Sequence, residues 1–435
     1  MRDEFLKLLR TFPAVAFLCG LLFSNPIFAA GTLDQTFGTG GIANFRLGGT
    51  NQAIGAALQP DGKIVVLGIT RPSGQSSGFN DISLARLNAN GTLDTAFGTG
   101  GFVQTDFDHE QEYMGAIVIL PDGKILIGGS RQTIFQNSIN FAMARYNPDG
   151  SLDATFGTGG KVVTDFPEST GEGISYLIPQ ADGKFIAAGK LYVTNSGFNP
   201  DQIAFVRYNA DGSIDSTYGN NGALKLMFES SITGFYGFAL QPDGKIVVSA
   251  SFTYRIPGCT PTKGNSCNAN QYILMRYHAN LTRDRKFGRR AGKEYLRQTY
   301  GIYPQADGTI LLGGFPRVVR FTYNGHHDTV FDFADFPNQP PGVQNGPAYL
   351  TVRPNGTIVG CRFLTGGIGY DLGLVLFTPG GQVIGYEQRN FFGGDDYCTG
   401  ILNETDGKFL VIVSTQLQSQ GNYSISVVRY LDIVP

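Results

Sequence analysis

One phrase recurs along this chain and decides what it can fold into. Gln59-Pro60-Asp61-Gly62-Lys63-Ile64 returns as Leu120-Pro121-Asp122-Gly123-Lys124-Ile125, as Gln180-Ala181-Asp182-Gly183-Lys184-Phe185 and as Gln241-Pro242-Asp243-Gly244-Lys245-Ile246. Looser copies stand at Gln305-Ala306-Asp307-Gly308-Thr309-Ile310, Arg353-Pro354-Asn355-Gly356-Thr357-Ile358 and Glu404-Thr405-Asp406-Gly407-Lys408-Phe409. Seven copies at a near-regular spacing mean an array of like supersecondary units, none of which buries its apolar face alone.

Each unit reads as four antiparallel strands. In the third, Ile174 to Ile178 is an apolar strand, Gln180-Ala181-Asp182-Gly183 a turn, and Phe185 to Ala188 a second strand. Where proline is present it presets the first turn position, and the glycine takes the left-handed site of a bulged hairpin loop. Ile203 to Tyr208 forms a third strand, closed by a second turn at Asn209-Ala210-Asp211-Gly212. The next stretch, Ser213 to Gly219, is either the fourth strand or a single helical turn with a Ser cap and a Gly stop. In the second case the fourth strand is the β-branched segment after the glycines, such as Lys161 to Phe166 in the preceding unit, and we favour that reading. Four antiparallel strands per unit describe a propeller blade.

The two ends of the chain share one unit. The third-strand phrase Ala144-Arg145-Tyr146-Asn147 has its last copy at Val428-Arg429-Tyr430, with almost nothing after it. Its continuation stands at the other end. Gly31-Thr32-Leu33-Asp34-Gln35-Thr36-Phe37-Gly38 matches Gly150-Ser151-Leu152-Asp153-Ala154-Thr155-Phe156-Gly157, yet no hairpin precedes it. Residues 31–50 are therefore expected to complete the last blade and close the ring, which removes the exposed sheet edges of an open array. The expected fold is an all-β, seven-bladed β-propeller of four-stranded blades, one domain over residues 31–435.

These paired phrases resemble the delta-60 repeat family of bacterial exported proteins. The resemblance covers essentially all of the chain after residue 30 and is strongest in the first four units. Phe331-Asp332-Phe333 and Thr378-Pro379-Gly380-Gly381 depart from the pattern. The resemblance implies a propeller with NHL-like blades; it brings no established activity and no catalytic residues.

The N-terminus is a separate object. Arg2, Lys7 and Arg10 precede an apolar run from Phe12 to Phe23, and Ala29 and Ala30 stand after it. Residues 1–30 read as a cleavable secretory signal, cut after one of those alanines. The run is shorter than the ~20 residues a spanning helix needs, so no membrane span is expected after cleavage. Leu18 before Cys19 is too bulky for a lipoprotein processing site. The expectation is an exported monomer, periplasmic or extracellular. Four cysteines remain beyond the signal, and an oxidising compartment favours disulfides. Cys259 and Cys267 flank a short loop; Cys361 and Cys398 are the remaining pair, which requires their units to be neighbours in space.

Chemistry is harder to find. A net charge of −2 with no Lys/Arg run excludes a phosphate-tracking surface, so no nucleic-acid partner is expected. His109, His278, His326 and His327 fall in or beside turns; adjacent strand residues face opposite ways, so His326 and His327 do not make a metal site. Arg86, Arg145 and Arg207 are each followed eight residues later by Asp94, Asp153 and Asp215. A pair repeated in blade after blade reads as a structural clasp. Function is expected where blades differ, on the rim opposite the Asp-Gly turns.

Counting back ten residues from each turn Asp, or from Asn355, reaches the start of each innermost strand. The seven residues are Asn51, Glu112, Glu172, Thr233, Arg297, Asn345 and Asp396, a polar and net acidic ring at the channel mouth. The leading expectation is a non-catalytic exported scaffold binding a protein, peptide or glycan through its variable rim, with no cofactor. The rival is a hydrolase or lyase using the ring carboxylates with Ca²⁺. A structural envelope module is the third reading.

Overall fold

The computed structural model describes residues 31–48, 50–71, 80–133, 138–167, 169–193, 202–226, 232–255, 268–288, 298–315, 317–332, 349–365, 370–391, 393–417 and 423–431. All regular elements among them are strands. The first, β1 (Ile42–Phe45), belongs to the last blade. Blade 1 then runs β2 (Thr50–Leu58), β3 (Ile64–Arg71), β4 (Asp81–Leu87), β5 (Phe102–Thr105), and blade 2 runs β6 (Gln111–Ile119), β7 (Ile125–Thr133), β8 (Ser138–Tyr146), β9 (Lys161–Thr164). Blade 3 holds β10 (Gly171–Pro179), β11 (Phe185–Tyr192), β12 (Gln202–Tyr208) and β13 (Ala223–Leu226). Blade 4 shows β14 (Ile232–Leu240), β15 (Ile246–Arg255) and β16 (Asn268–Tyr277). Blade 5 contains β17 (Gln298–Pro304), β18 (Ile310–Phe315), β19 (Arg317–Phe321) and β20 (His327–Asp332). Blade 6 contains β21 (Tyr349–Val352), β22 (Ile358–Thr365), β23 (Tyr370–Phe377) and β24 (Val383–Arg389). Blade 7 is β25 (Asp395–Asn403), β26 (Phe409–Gln416) and β27 (Tyr423–Tyr430), completed by β1.

Every neighbouring pair within a blade is antiparallel, and β1 joins β27 with Ile42 opposite Val428 and Phe45 opposite Ile425. The first strand of each blade packs against the first strand of the next, from β2 and β6 round to β25 and back to β2. That makes a closed seven-bladed propeller with these strands innermost. No helix among the described residues is long and apolar enough to cross a membrane.

The Asp-Gly turns form as their chemistry requires. Gln59 N–H donates to Lys63 O at 2.8 Å, and Asp61 Oδ1 accepts from Lys63 N–H at 3.1 Å. Gly62 has φ of 80°, and the glycines of the other six copies lie between 79° and 87°, a region that favours glycine. Beyond the second turn the chain forms no helical element: Asp215 Oδ1 accepts from Thr217 N–H at 3.1 Å, and Tyr218 N–H donates to Asp215 O at 3.0 Å. In blades 1 to 3 and 7 the outer strand is the segment after the glycines, as in β9 and β1. In blades 5 and 6 it comes directly after the second turn, as β20 and β24. The favoured reading of the outer strand is thus corrected for those two blades: their sequence lacks the Asp-x-Thr-Phe-Gly turn, so nothing postpones the fourth strand. His327, expected in or beside a turn, opens β20.

The recurrent Arg–Asp pairs are built into the joints between blades. Arg145 Nε donates to Asp153 Oδ2 at 2.7 Å, and its guanidinium lies 4.6 Å from the Phe156 ring centroid. Nη1 donates across the joint to Ala210 O in blade 3, and Gly157 N–H donates to Asp211 O of the same turn at 2.8 Å. Lys124, from the first turn, stands 2.9 Å from Asp153 Oδ2. Burial disfavours the Asp153 carboxylate, but the Thr155 hydroxyl and Lys124 outweigh it and hold the group well below the ordinary carboxylate range. Arg86 pairs with Asp94 and reaches Pro148 of blade 2; Arg276 pairs with Asp284 and reaches Tyr323 of blade 5. Arg207 pairs with Asp215 within blade 3 at 2.8 Å. The last copy spans the ends of the chain: Arg429 Nη1 stands 3.6 Å from Asp34 Oδ2, and Nη2 donates to Ala89 O in blade 1. Each motif residue thus has a task. Asp binds the arginine, Phe or Tyr covers its face, and Gly brings its N–H close to the next blade.

Blade 6 breaks the pattern, with Leu376 where other blades have the arginine. At its joint with blade 7, Arg353 Nη2 donates to Gly407 O at 2.8 Å, and Cys361 of β22 is bonded to Cys398 of β25 with Cα atoms 6.2 Å apart. Cys259 and Cys267 lie outside the described residues.

Truncating Arg145 leaves Asp153 buried, with Lys124 as the cation that remains. Arg145→Ala is expected to cost about 3–5 kcal/mol in denaturant unfolding. Arg320→Ala, at a pair whose side chains are 25% and 36% exposed, is expected to cost about 1 kcal/mol or less. The disulfide closes 37 residues, so Cys361→Ser with Cys398→Ser is expected to cost about 4 kcal/mol by chain entropy. A urea midpoint unchanged by that double variant counts against the joint depending on the bond.

Candidate functional site

In five blades the ring position is the second residue of the inner strand. Asn51 holds it in β2, Glu112 in β6, Glu172 in β10, Thr233 in β14 and Asp396 in β25. Arg297 and Asn345 lie outside the described residues. The three acids are 0%, 2% and 0% exposed. Their carboxyl groups are turned into the crossings that lead from one blade to the next.

The cause is local. Each crossing carries an aromatic plug, Phe107, Phe166 or Phe391, buried between blades, and its backbone N–H needs an acceptor there. Glu112 Oε1 accepts from Phe107 N–H at 3.1 Å, Glu172 Oε1 from Phe166 N–H at 3.0 Å, and Asp396 Oδ2 from Phe391 N–H at 2.6 Å. Asp396 Oδ1 also accepts the Thr415 hydroxyl at 2.6 Å. Burial outweighs these bonds and pushes the carboxyl groups up, Glu112 to about 8, Glu172 to about 7 and Asp396 to about 6. The charges that add to this belong to the same joint in each case: Asp106 and Asp81 for Glu112, Asp165 for Glu172, Asp371 and Asp395 for Asp396. The acids work joint by joint.

The joints differ in one respect. Between blades 1 and 2, carboxylate oxygens of Asp81, Asp106 and Glu112 lie within 4.8 Å of one another. Between blades 2 and 3 the matching residues are Asn140, Asp165 and Glu172; between blades 6 and 7 they are Asp371, Asn390 and Asp396. Asp81 and Asp106 are absent from the ring inferred by counting. Their signal is nonetheless present in the chain, an acid five residues before the clasp arginine and another just before the crossing phenylalanine.

The tyrosines of the inner strands are a second feature that the repeat spacing does not single out. Tyr176 of blade 3, Tyr303 of blade 5 and Tyr349 of blade 6 are close enough for their hydroxyls to influence one another. Burial raises Tyr176 and Tyr303 above the ordinary phenol range, while Tyr349 is 36% exposed. Tyr176 meets Phe235 of blade 4 edge to face, with centroids 5.1 Å apart. Aromatic rings of four successive blades therefore gather where the inner strands meet.

The two faces of the disc are built to different rules. The connection from first to second strand is five residues long in every blade, from 59–63 to 404–408. The connection from second to third strand, on the opposite face, ranges from one residue (316) to twelve (256–267).

Residues 59–97, 120–156 and 180–218 match the family described as "Domain of unknown function (DUF5122) beta-propeller". No curated protein matches the sequence. Among solved structures, the chain is similar to the β-propeller domain of the trilobed protease from Pyrococcus furiosus, at 11% identity and a TM-score of 0.47, covering 88% of this chain and 96% of that one. It is similar to an ulvan lyase at 11% identity and a TM-score of 0.49, covering 89% and 96%. A gluconolactonase from Xanthomonas campestris aligns at 12% identity and a TM-score of 0.36, covering 89% and 99%.

Glu172 makes the burial measurable. Its folded-state carboxyl titrates at about 7 against 4.5 for a free glutamate, so the folded chain holds a proton that the unfolded chain has released. The stability this contributes is complete below pH 4.5 and is lost as pH rises through 7. Glu172→Gln keeps an acceptor for Phe166 N–H and removes the titration. Its melting temperature is expected to fall less than that of the wild type between pH 5 and pH 8 in a thermal-shift series. Parallel curves would show that Glu172 is not protonated in the fold.

Proposed function

We propose that this protein is an exported, non-catalytic scaffold of the delta-60 repeat type. It binds a protein, peptide or glycan through the rim that carries the second-to-third-strand connections. The observation that carries this reading is the contrast between the faces. One has the same five-residue turn seven times, tied into the clasps by Lys63, Lys124, Lys184 and Lys408. The other varies from one residue to twelve on the same framework. Loops free to vary over a rigid scaffold are where binding residues accumulate. The acids that a hydrolase or lyase would employ are committed elsewhere, since Glu112, Glu172 and Asp396 are buried and accept backbone N–H groups.

The test uses the chain from residue 31 on arrays of envelope polysaccharides and of peptides. Replacing 72–79 or 194–200 by a short Gly-Ser linker is expected to weaken the array ligand at least tenfold. Asp182→Asn, which copies the Asn355 turn of blade 6, is expected to leave binding within twofold. Release of unsaturated sugars, reducing ends or opened lactones by the purified chain would overturn the non-catalytic reading. Loss of binding with Asp182→Asn but not with the linkers would move the surface to the other face.

A further inference from the structure

We propose that Asp81, Asp106 and Glu112 form a Ca²⁺ site that staples blade 1 to blade 2. Asp81 opens β4, Asp106 stands directly after β5, and Glu112 is the second residue of β6, so the three come from both sides of one joint. Their carboxylate oxygens lie within 4.8 Å of one another. Two oxygens that share a Ca²⁺ at about 2.3–2.6 Å from each stand at most about 5 Å apart, so the span suits one ion. The donors are hard oxygens, the type that Ca²⁺ selects.

Glu112 supplies the second, independent observation. The residue is 0% exposed, and its Oε1 is used by Phe107 N–H. Its Oε2 is buried without a hydrogen-bond partner among the described residues. A buried carboxylate oxygen without a hydrogen-bond partner, on a residue grouped with two further acids, is a position that a divalent ion would satisfy. Two basic side chains stand nearby. Lys161 donates to the backbone carbonyl of Asp106 and lies over the Phe107 ring. His109 stands with Nδ1 2.6 Å from Asp106 Oδ2 on an 88% exposed side chain, and its backbone N–H donates to Asp106 Oδ1 at 2.6 Å. Gln104 donates to Asp81 Oδ2 at 2.6 Å. Asp81 and Asp106 are half-buried, which gives an ion a way in.

The other joints serve as controls inside the same molecule. Asn140 stands where Asp81 does in the joint of blades 2 and 3, and Asn390 stands where Asp106 does between blades 6 and 7. In the latter joint, amide donors do what the ion does here: Asn390 and Gln388 each donate to Asp371 at 2.6 Å. Both asparagines are therefore residues that this fold already accepts at those positions.

The experiment is titration of CaCl₂ into the chain from residue 31 after removal of metals with EDTA, read by calorimetry and by thermal melting. The wild type is expected to bind one Ca²⁺ at this joint and to melt at least about 2 °C higher in excess CaCl₂. Asp81→Asn and Asp106→Asn are each expected to weaken that binding at least tenfold and to lose the shift, while Asp371→Asn retains both. A wild type that binds no Ca²⁺ overturns the proposal, as does binding that survives both variants. A metal-free Asp106→Asn that melts higher than a wild type indifferent to CaCl₂ would show that a proton on Glu112 fills the role of the ion.

Discussion

The guanidinium that blades 1, 2, 4, 5 and 7 each lend to the next is the interaction on which the rest of this structure depends. A four-stranded sheet has two apolar faces and stands only when sandwiched between two others, so blade stability is a property of the joints. Apolar packing supplies most of the energy there, as in the cluster that joins Phe141 and Phe156 of blade 2 to Phe185 and Val206 of blade 3. Packing alone does not prevent sliding. The arginine does, because its planar fork binds a carboxylate on one side and a carbonyl of the next blade on the other, with an aromatic ring fixing its plane. Desolvating such a charge is costly, and the aspartate, the lysine and the ring together offset that cost.

Blade 6 shows what happens where that device is missing. With Leu376 in the arginine position, the step to blade 7 uses a covalent bond and a differently placed cation, Arg353. Cys361 and Cys398 are 0% and 6% exposed, so the bond lies within the packed joint and not across a surface loop. A ring depends on its weakest joint. The disulfide therefore stands where the chain departs most from its own repeat, next to the blade that the two chain ends build together.

Most of the architecture is legible in the sequence because it repeats. Turn glycines, clasp residues and strand patterns recur often enough for one unit to explain another, and Gly31 to Gly41 is recognisable as a fragment only because whole copies exist elsewhere. The same logic misplaces the outer strands of blades 5 and 6, since it extends the repeat over units that have shed the intervening turn. The acids are legible as positions and not as environments. Counting back from the turn reaches the second residue of the inner strand in five blades, but a strand residue next to a crossing turns its side chain toward whatever backbone group lacks a partner. The N–H of Phe107 is such a group, and nothing in the spacing announces it. Asp81 and Asp106 stay hidden because their partnership crosses a joint, bringing together residues that are 25 and 31 positions apart only through strand pairing and blade packing.

Uniformity on one face and variation on the other have one physical origin. In blades 1 to 3 and 7 the Asp-Gly turns also hold the lysines that complete the clasps, so a change of length there would withdraw an ammonium from a buried carboxylate. Selection on stability alone is enough to hold those turns at five residues. The connections on the other face leave from strands already held by their neighbours, so their length costs little beyond a slowly growing loop entropy. At the joint of blades 1 and 2 the two regimes meet. Asp81 opens β4 just after the first of these variable connections, and its carboxylate lies within 4.8 Å of that of the buried Glu112.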